Sequence, residues 1–354
     1  MTEVTNKQRY SGIDIIRIIS MVMITSIHFI CYSHVNSSIN DIPHFNKVFI
    51  HVLQVFNKDF INLFVLITGF LLCGRSNTSG KIIPLWLNIF VTCQFVSIVL
   101  VPIGIELLNW DNVIHSLFPI LSGNYWYFVT YFLLMLLTPF INELTSSWDI
   151  NKYRNIIIFG GLIITIIIGA NPFLNTPKFI GPQYSLVWFS YLYIFGGYIK
   201  RFGFGPKKLW CIIFFLTTLL GYWLIEKNIT VLGKDQMQEY NILPFVSSLS
   251  IFVILYDVKI KKYWVNKLIE YIGLSSVYVY IIQENPFCRE IFWGWINVDG
   301  YLFTPAIFIR WLLALITIFA CSCFLNQLYK FLHVSFLYRI EEKIGDVLKT
   351  IANK

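Results

Sequence analysis

The sequence predicts an all-α, polytopic integral membrane protein with about ten transmembrane helices and with both termini in the cytoplasm. Three observations support this fold class. The 354 residues are 56% hydrophobic and only 13% charged, about half the charged fraction of an ordinary soluble domain. Apolar runs long enough to cross the hydrocarbon core of a bilayer recur along the whole chain. The basic residues concentrate in alternate segments between these runs.

Ten segments are long and apolar enough to be read as membrane-spanning helices. The first follows a polar N-terminal stretch and has no small-residue cleavage site, so we expect it to be retained rather than removed as a signal peptide. The ninth is interrupted by Gly273, Ser275 and Ser276. The segments are 12–32, 54–73, 82–105, 123–141, 155–170, 183–199, 209–226, 240–257, 269–284 and 302–328.

The distribution of basic residues predicts the orientation of these helices. With a cytoplasmic N-terminus, nineteen Lys and Arg residues fall on the inner side and six on the outer side, and the other two of the 27 lie within helices. Cytoplasmic loops collect Lys and Arg, so this asymmetry favours ten helices with both termini inside. We therefore expect a cytoplasmic segment 1–11, a membrane domain 12–328 and a cytoplasmic tail 329–354.

The tail carries apolar residues at helical spacing beside charged ones, from Leu337 to Ile351. This pattern predicts an amphipathic helix, either lying on the inner membrane surface or packed on the inner loops. The whole chain fits a multi-pass protein of the cell membrane, inner or plasma, whose surroundings are lipid.

Nucleic acid and metal are not expected partners. The net charge of +8 comes from short basic segments rather than from a clustered basic patch, so it follows membrane topology and not a nucleic-acid footprint. The seven cysteines show no CxxC spacing, and His34, His44 and His51 match no metal motif.

The first apolar helix carries two ionisable residues, Arg17 and His28. Eleven residues make almost three helical turns, so both side chains leave the same face, ~16 Å apart along the axis. Asp14 lies on that face, one turn before Arg17. A charge in hydrocarbon is expensive, so these residues are candidates for a functional site. The alternative is structural, a buried Asp14–Arg17 ion pair with a hydrogen-bonded His28.

These residue types suit transfer of an acyl group to a hydroxyl. A neutral imidazole can accept a proton from a hydroxyl at physiological pH, and alcohols are poor nucleophiles without such help. Arg17 stays charged and makes planar, bidentate contacts with phosphate. We expect His28 to act as the catalytic base and Arg17 to hold an anionic donor. Asp14 is expected either to orient Arg17 or to help position a cofactor.

Four stretches carry a family resemblance. The run GIDIIRIISMVMITSIH (12–28) resembles the opening helix of the acyltransferase family 3 integral membrane proteins, whose signature is an Arg, ten residues and a His. The stretch 62–72, with Thr68 in place of a usual Ser, resembles that family's aromatic run. The stretch 124–141, with Trp126, Tyr127 and Pro139, and the stretch 275–289 resemble later family segments, in the expected order.

This resemblance implies a membrane-bound O-acetyltransferase that uses acetyl-CoA as the acyl donor and a polysaccharide as the acceptor. It carries over Arg17 and His28 as site residues, with Asp14 beside them. Many relatives have a second His where this chain has Gln283, and this departure puts a role for a His there in doubt.

Several further residues are candidates with structural alternatives. We expect the donor to contact Trp126, Tyr127 and Arg310, although two aromatic residues at a membrane boundary are commonly an aromatic belt and a buried Arg can form an ion pair. Arg310 is expected about halfway along its helix. The acceptor is expected to contact one helix end that is crowded with polar side chains, namely Gln283, Glu284, Asn285 and Arg289. Glu284 and Arg289 could equally form an interfacial ion pair.

The sequence therefore favours a membrane enzyme that moves an acetyl or other acyl group from acetyl-CoA to a hydroxyl of a cell-surface polysaccharide, such as an exopolysaccharide, or its lipid-linked precursor. The alternative from another class is a transporter or flippase for a glycan or an anionic small molecule, with Arg17, His28 and Arg310 along its path. The absence of an internal repeat weighs against this alternative. A third interpretation, prompted by Gln283, is an inactive relative that serves as a scaffold.

Overall fold

The computed structural model describes residues 10–56, 59–75, 82–100, 102–103, 109–119, 125–174, 186–227, 230–231, 234–235 and 242–344. Its architecture is helical, with one antiparallel pair of two-residue strands, Thr230–Val231 and Lys234–Asp235. The helices are α1 Ser11–Cys31, α2 Val35–Ser38, α3 His44–Val55, α4 Asp59–Leu72, α5 Ile82–Leu100, α6 Trp110–Leu117, α7 Trp126–Ser146, α8 Ile150–Leu174, α9 Leu186–Phe202, α10 Lys207–Glu226, α11 Ile242–Leu255, α12 Tyr263–Leu274, α13 Ser276–Glu284, α14 Pro286–Ile296 and α15 Ala306–Leu332.

Each predicted segment overlaps helical structure, with two corrections. The segment 54–73 contains the end of α3 at Val55 and the whole of α4 from Asp59. The segment 269–284 is not one continuous helix, because α12 ends at Leu274 and α13 begins at Ser276. The Ser275 hydroxyl donates to the Tyr271 carbonyl and accepts from the Asn326 amide, so the polar atoms at this break are paired inside the protein. Short helices α2, α3, α6 and α14 fill stretches that were expected to be loops.

Length and apolar composition support membrane insertion of several helices. Within the described residues, six helical stretches are long and apolar enough to cross a membrane. In the stretch Lys207–Glu226, only 6% of the most apolar window is buried inside the protein. Large apolar side chains such as Phe215 and Trp223 are exposed there. A helix that exposes this much apolar surface needs lipid around it, and the chain is accordingly a multi-pass membrane protein.

Helix α1 lies at the centre of the packing, in contact with α3, α4, α11, α12, α13 and α15. Close backbone approach at its N-terminal end depends on glycine. A Cβ at Gly12 would lie 1.8 Å from the Leu255 carbonyl oxygen, and a Cβ at Gly273 would lie 2.9 Å from the Asp14 Cβ. Small residues permit such approach between membrane helices. The N-terminal end of α1 is thereby held close to α11 and α12.

Hydrogen bonds between distant parts of the chain join segments that the charge pattern assigns to one side of the membrane. The N-terminal end of α1 belongs to the side predicted to be cytoplasmic, and its C-terminal end to the side predicted to be outer. On the first side the bonds join Gly12 to Val258 and Asn142 to Leu72, and on the second they join His34 to Asp299 and Asn46 to Leu302.

The last membrane helix continues beyond residue 328 to Leu332 and leads into a π-helix over His333–Leu337. Leu337 is buried, whereas Ile340 is exposed. His333 Nε2 lies 3.1 Å from a Glu341 carboxylate oxygen and links two turns of this stretch. The rest of the predicted amphipathic tail, 345–354, lies outside the described residues.

Candidate active site along the first helix

The N-terminal end of α1 holds an ion pair. Arg17 Nη1 donates to Asp14 Oδ1 at 2.9 Å, across one helical turn. The Asp14 side chain is 3% exposed and the Arg17 side chain 23% exposed. A buried carboxylate is costly unless it is paired, so Asp14 both neutralises and orients the guanidinium. The rest of the Arg17 side chain faces a cavity.

This cavity, called here the Arg17 cavity, has a volume of about 260 Å³. Its wall on α1 extends from Arg17 to Ile24. Most of its remaining wall is aromatic and aliphatic, which suits an extended apolar or weakly polar chain. The other lining residues are Met21, Phe60, Phe64, Ile67, Thr68, Leu85, Tyr127, Phe128, Tyr131, Gly273, Leu274, Ser276, Val277 and Tyr280.

Helices α12 and α13 run alongside α1 in the same direction, because Gly273 packs on Asp14 and Gln283 bonds to His28. Tyr280 lies one turn before Glu284 on α13, so it stands between the Arg17 cavity, which it lines, and the His28 end of α1. Its hydroxyl is buried and makes no hydrogen bond within the described residues. The cavity therefore leads from Arg17 toward His28.

At the C-terminal end of α1, His28 is held by a chain of hydrogen bonds. The Thr25 hydroxyl donates to the Met21 carbonyl at 2.9 Å. Its oxygen is then left to accept from the Gln283 amide nitrogen, also at 2.9 Å. This turns the Gln283 carbonyl toward His28 Nδ1, at 2.7 Å. Since a carbonyl can only accept, Nδ1 carries the hydrogen, and the chain fixes the tautomer of His28.

The other ring nitrogen of His28 faces a carboxylate. His28 Nε2 lies 3.1 Å from Glu284 Oε1, and both side chains are 12% exposed. With the hydrogen fixed on Nδ1, Nε2 carries the lone pair, so a proton that Nε2 accepts from a substrate lies beside the carboxylate and is stabilised by it. A basic nitrogen beside a carboxylate that stabilises its protonated form is the arrangement of a general base.

The break after α13 positions this pair. Asn285 is fully buried and caps α14, its side-chain oxygen accepting from the backbone nitrogens of Phe287 and Cys288 at 3.1 Å. Its amide nitrogen donates to the Ser97 hydroxyl at 3.0 Å. Asn285 therefore uses both ends of its side chain within the protein, and we assign it a structural role in ending α13 at Glu284.

Arg289 lies beyond His28 and does not pair directly with Glu284. Its guanidinium lies over the Tyr32 ring, 5.5 Å from the ring centre, and its Nε lies 3.5 Å from Glu290 Oε1. Tyr32 follows His28 by one turn, with ring centres 5.3 Å apart.

Two of the residues expected to contact the donor lie apart from the Arg17 cavity. Arg310 is not midway along its helix but near the start of α15, where its guanidinium donates to the Tyr301 hydroxyl and lies over that ring. The next residue, Trp311, donates to Ser26 near the His28 end of α1. Trp126 packs against Tyr127, and of these two only Tyr127 is among the cavity-lining residues described.

Two of the other histidines, His34 and His51, contact carboxylates. His34 bonds to Asp299 at 2.7 Å and is exposed, and His51 is buried and bonds to Glu226 at 2.9 Å. Within the described residues, no group of three His, Cys, Asp or Glu side chains could hold a metal ion.

Sequence reasoning missed Thr25, Tyr280 and the positive role of Gln283. Thr25 looks like an ordinary small polar residue of a membrane helix, and nothing in its position signals a bond to residue 283. Tyr280 lies within a recognised stretch, but only the packing of α13 against α1 brings it to the cavity.

The fold and this site define a class of protein, a multi-pass helical membrane protein with a polar site buried along its first helix. The family profile for the acyltransferase domain of acyltransferase family 3 matches residues 10–327, nearly the whole chain, and the chain belongs to this family. The family resemblance is thereby confirmed, and the protein is an acyltransferase of the membrane. No curated protein and no solved structure gives a match.

Proposed function

We propose that this protein transfers an acetyl group from acetyl-CoA to a hydroxyl of a cell-surface polysaccharide or of its lipid-linked precursor, in the inner or plasma membrane. The observation that carries the proposal is the arrangement on α1, with Arg17 beside a cavity that leads toward the paired His28 and Glu284. Membership of an acyltransferase family favours this enzyme over a transporter.

The donor enters from the Arg17 end in this proposal. Arg17 has a fixed orientation through Asp14 and suits a phosphate of coenzyme A. The narrow, mainly apolar Arg17 cavity suits the pantetheine arm and the acyl group, not the bulky nucleotide. Tyr127 contacts that arm along one wall. The thioester then lies at the far end of the cavity, near Tyr280.

The reaction needs one proton removed and one returned. The acceptor hydroxyl loses its proton to His28 Nε2, and its oxygen attacks the thioester carbonyl. The new C–O bond forms as the C–S bond breaks, and the coenzyme A thiolate takes up the proton. Glu284 stabilises the imidazolium while it exists, and Gln283 keeps the opposite nitrogen protonated throughout. The protein's own groups return to their starting state.

The acceptor approaches from the other end of α1. Glu284 and Arg289 remain the candidates for acceptor contacts, because both have exposed fractions and lie beside His28 or Tyr32. Gln283 and Asn285 act instead through other residues, the first on His28 and the second on the helix break.

The test measures O-acetyl groups on surface glycans by proton NMR. A strain that lacks the protein is complemented with wild type, with His28→Ala or with His44→Ala, a matched control at an exposed histidine. We expect acetyl signals to return with wild type and His44→Ala but not with His28→Ala, at equal amounts of protein in the membrane. Full acetylation with His28→Ala would refute the mechanism. An unchanged acetyl content with less glycan at the surface would favour the transporter.

A further inference from the structure

We propose that the acceptor binds as a sugar ring in a second pocket, beyond the His28 end of α1, on one face of α14. This inference rests on the proposed function and adds the location and chemistry of the acceptor site. The pocket, called here the α14 pocket, has a volume of about 260 Å³. It is lined by Tyr32, Arg289, Glu290, Trp293, Gly294, Asn297, Val298 and Asp299.

The α14 pocket adjoins the candidate base. Tyr32 forms part of its wall and packs against His28 with ring centres 5.3 Å apart. Arg289, which also lines it, lies over the same Tyr32 ring. A molecule in this pocket is therefore separated from His28 by little more than the Tyr32 side chain, whereas the Arg17 cavity approaches the same histidine from the opposite direction. The two substrates can thus approach His28 from opposite directions, with the Tyr32 side chain between the α14 pocket and the imidazole.

The α14 pocket has the mixed chemistry that a sugar requires. Tyr32 and Trp293 present aromatic rings, with centres 5.9 Å apart and planes tilted by 31°, against which the C–H face of a pyranose can pack. Arg289 offers N–H donors, Glu290 offers an exposed carboxylate acceptor, and Asn297 offers an amide. Hydroxyl groups both donate and accept, so a sugar satisfies such a set, whereas a purely apolar or purely anionic ligand does not.

The pocket is built and held in shape. Asp299 accepts from the backbone nitrogen and from Nδ1 of His34, both at 2.7 Å, and this ties the chain after α1 to the turn after α14. Asn297 adopts a left-handed conformation, φ 49°, which ends α14 at the pocket. A volume of about 260 Å³ is below the range for drug-sized ligands and suits one ring of a glycan.

One buried donor in this wall lacks a hydrogen-bond partner. Trp293 Nε1 is buried and makes no hydrogen bond within the described residues, whereas Arg289 Nε lies 3.5 Å from Glu290 Oε1. Buried polar groups are ordinarily hydrogen-bonded, so the Trp293 donor indicates that this wall adjusts around an oxygen-bearing ligand. This is independent of the argument from the aromatic rings.

Gly294 provides a direct test. A Cβ at Gly294 meets no atom within 4 Å, so a larger side chain is accommodated in the open space of the pocket without disturbing the fold. Gly294→Phe fills the α14 pocket, and Gly294→Ala is the smaller companion variant, which adds one carbon and favours the helix. The probe is glycan isolated from the strain that lacks this protein, added to the purified full-length protein with acetyl-CoA, and coenzyme A release is measured.

We expect Gly294→Phe to raise the KM for glycan by roughly ten- to a hundredfold, which corresponds to one or two lost hydrogen bonds of about tenfold each. The KM for acetyl-CoA should change by less than about twofold, because the donor binds at the other end of α1. Gly294→Ala, which adds a single carbon to the pocket, should raise this KM less than Gly294→Phe does. An unchanged KM for glycan in Gly294→Phe would overturn the inference.

Direct binding separates this inference from the proposed function. Titration calorimetry of the same glycan into the protein needs no turnover. If wild type binds the glycan without releasing coenzyme A, and Gly294→Phe does not bind it, the assignment of the glycan to the α14 pocket is supported and the proposed function is refuted. If Gly294→Phe binds the glycan as wild type does, the assignment to the α14 pocket is refuted, whatever the activity.

Discussion

The hydrogen-bond chain from Thr25 through Gln283 to His28 predicts the effect of Gln283→Leu. Leucine has a similar volume but can neither accept from His28 Nδ1 nor donate to Thr25. The lost bonds are 2.7 Å and 2.9 Å long, and Gln283 is 1% exposed, so water does not replace them. The imidazole then regains a hydrogen bond by moving its hydrogen to Nε2 and donating to Glu284.

That tautomer presents no basic nitrogen to the acceptor. Restoring the productive tautomer leaves a buried N–H without a partner, at a cost of about 1–3 kcal/mol. Since about 1.4 kcal/mol is a factor of ten in rate, we expect kcat to fall roughly ten- to a hundredfold. The KM for acetyl-CoA should stay near that of wild type, because Arg17 is untouched.

The assay is coenzyme A release by purified protein, with Thr25→Ser and Thr25→Val as companion variants. Serine keeps the hydroxyl that accepts from Gln283, so this variant should retain nearly full activity. Valine removes this hydroxyl, so the Gln283 side-chain amide is free to rotate and to exchange its oxygen and nitrogen positions. We therefore expect kcat to lie between those of wild type and Gln283→Leu. A folded Gln283→Leu protein with kcat within about twofold of wild type would refute the role assigned to Gln283.

Three further predictions concern the donor end and the packing. Arg17→Lys should raise the KM for acetyl-CoA about tenfold, because an ammonium cannot make planar bidentate contacts with phosphate; the measurement is steady-state kinetics. Tyr193→Phe should lower the free energy of unfolding by about 1–3 kcal/mol, because the buried Asn142 oxygen loses the hydroxyl that donates to it at 2.9 Å. Tyr280→Phe should lower it little, because the Tyr280 hydroxyl makes no hydrogen bond within the described residues. Thermal unfolding in detergent compares the two variants. Gly196→Val should prevent folding, because its Cβ would lie 2.3 Å from the Leu66 carbonyl oxygen; size-exclusion chromatography measures the folded fraction.

Each of these predictions has an outcome that contradicts it. Equal KM values for wild type and Arg17→Lys would remove Arg17 from donor binding. A larger fall in melting temperature for Tyr280→Phe than for Tyr193→Phe would mean that the Tyr280 hydroxyl has a partner in the folded protein. Monodisperse Gly196→Val at wild-type yield would show that α4 and α9 do not approach as closely as described.

The sequence by itself determined most of the helical plan. A membrane-spanning helix makes all of its backbone hydrogen bonds within one segment, so the length of an apolar run is enough to predict it. It also determined that Asp14, Arg17 and His28 share one face of α1, since that depends only on the 3.6-residue period of one helix. The family followed from ordered motifs, which are local patterns as well.

Only the tertiary structure decided how those residues are used. The contacts of His28 come from Gln283 and Glu284, about 255 residues away along the chain, and no local pattern encodes which side chain a distant helix will present. From the sequence, Gln283 was only a departure from the family pattern. The packing of α13 on α1 gives it a hydrogen bond to His28. Arg310 was expected at the donor site, because a charge within an apolar helix indicates that a partner exists without indicating which one. The structure gives Tyr301 as its partner, near the end of α1 that lies away from Arg17.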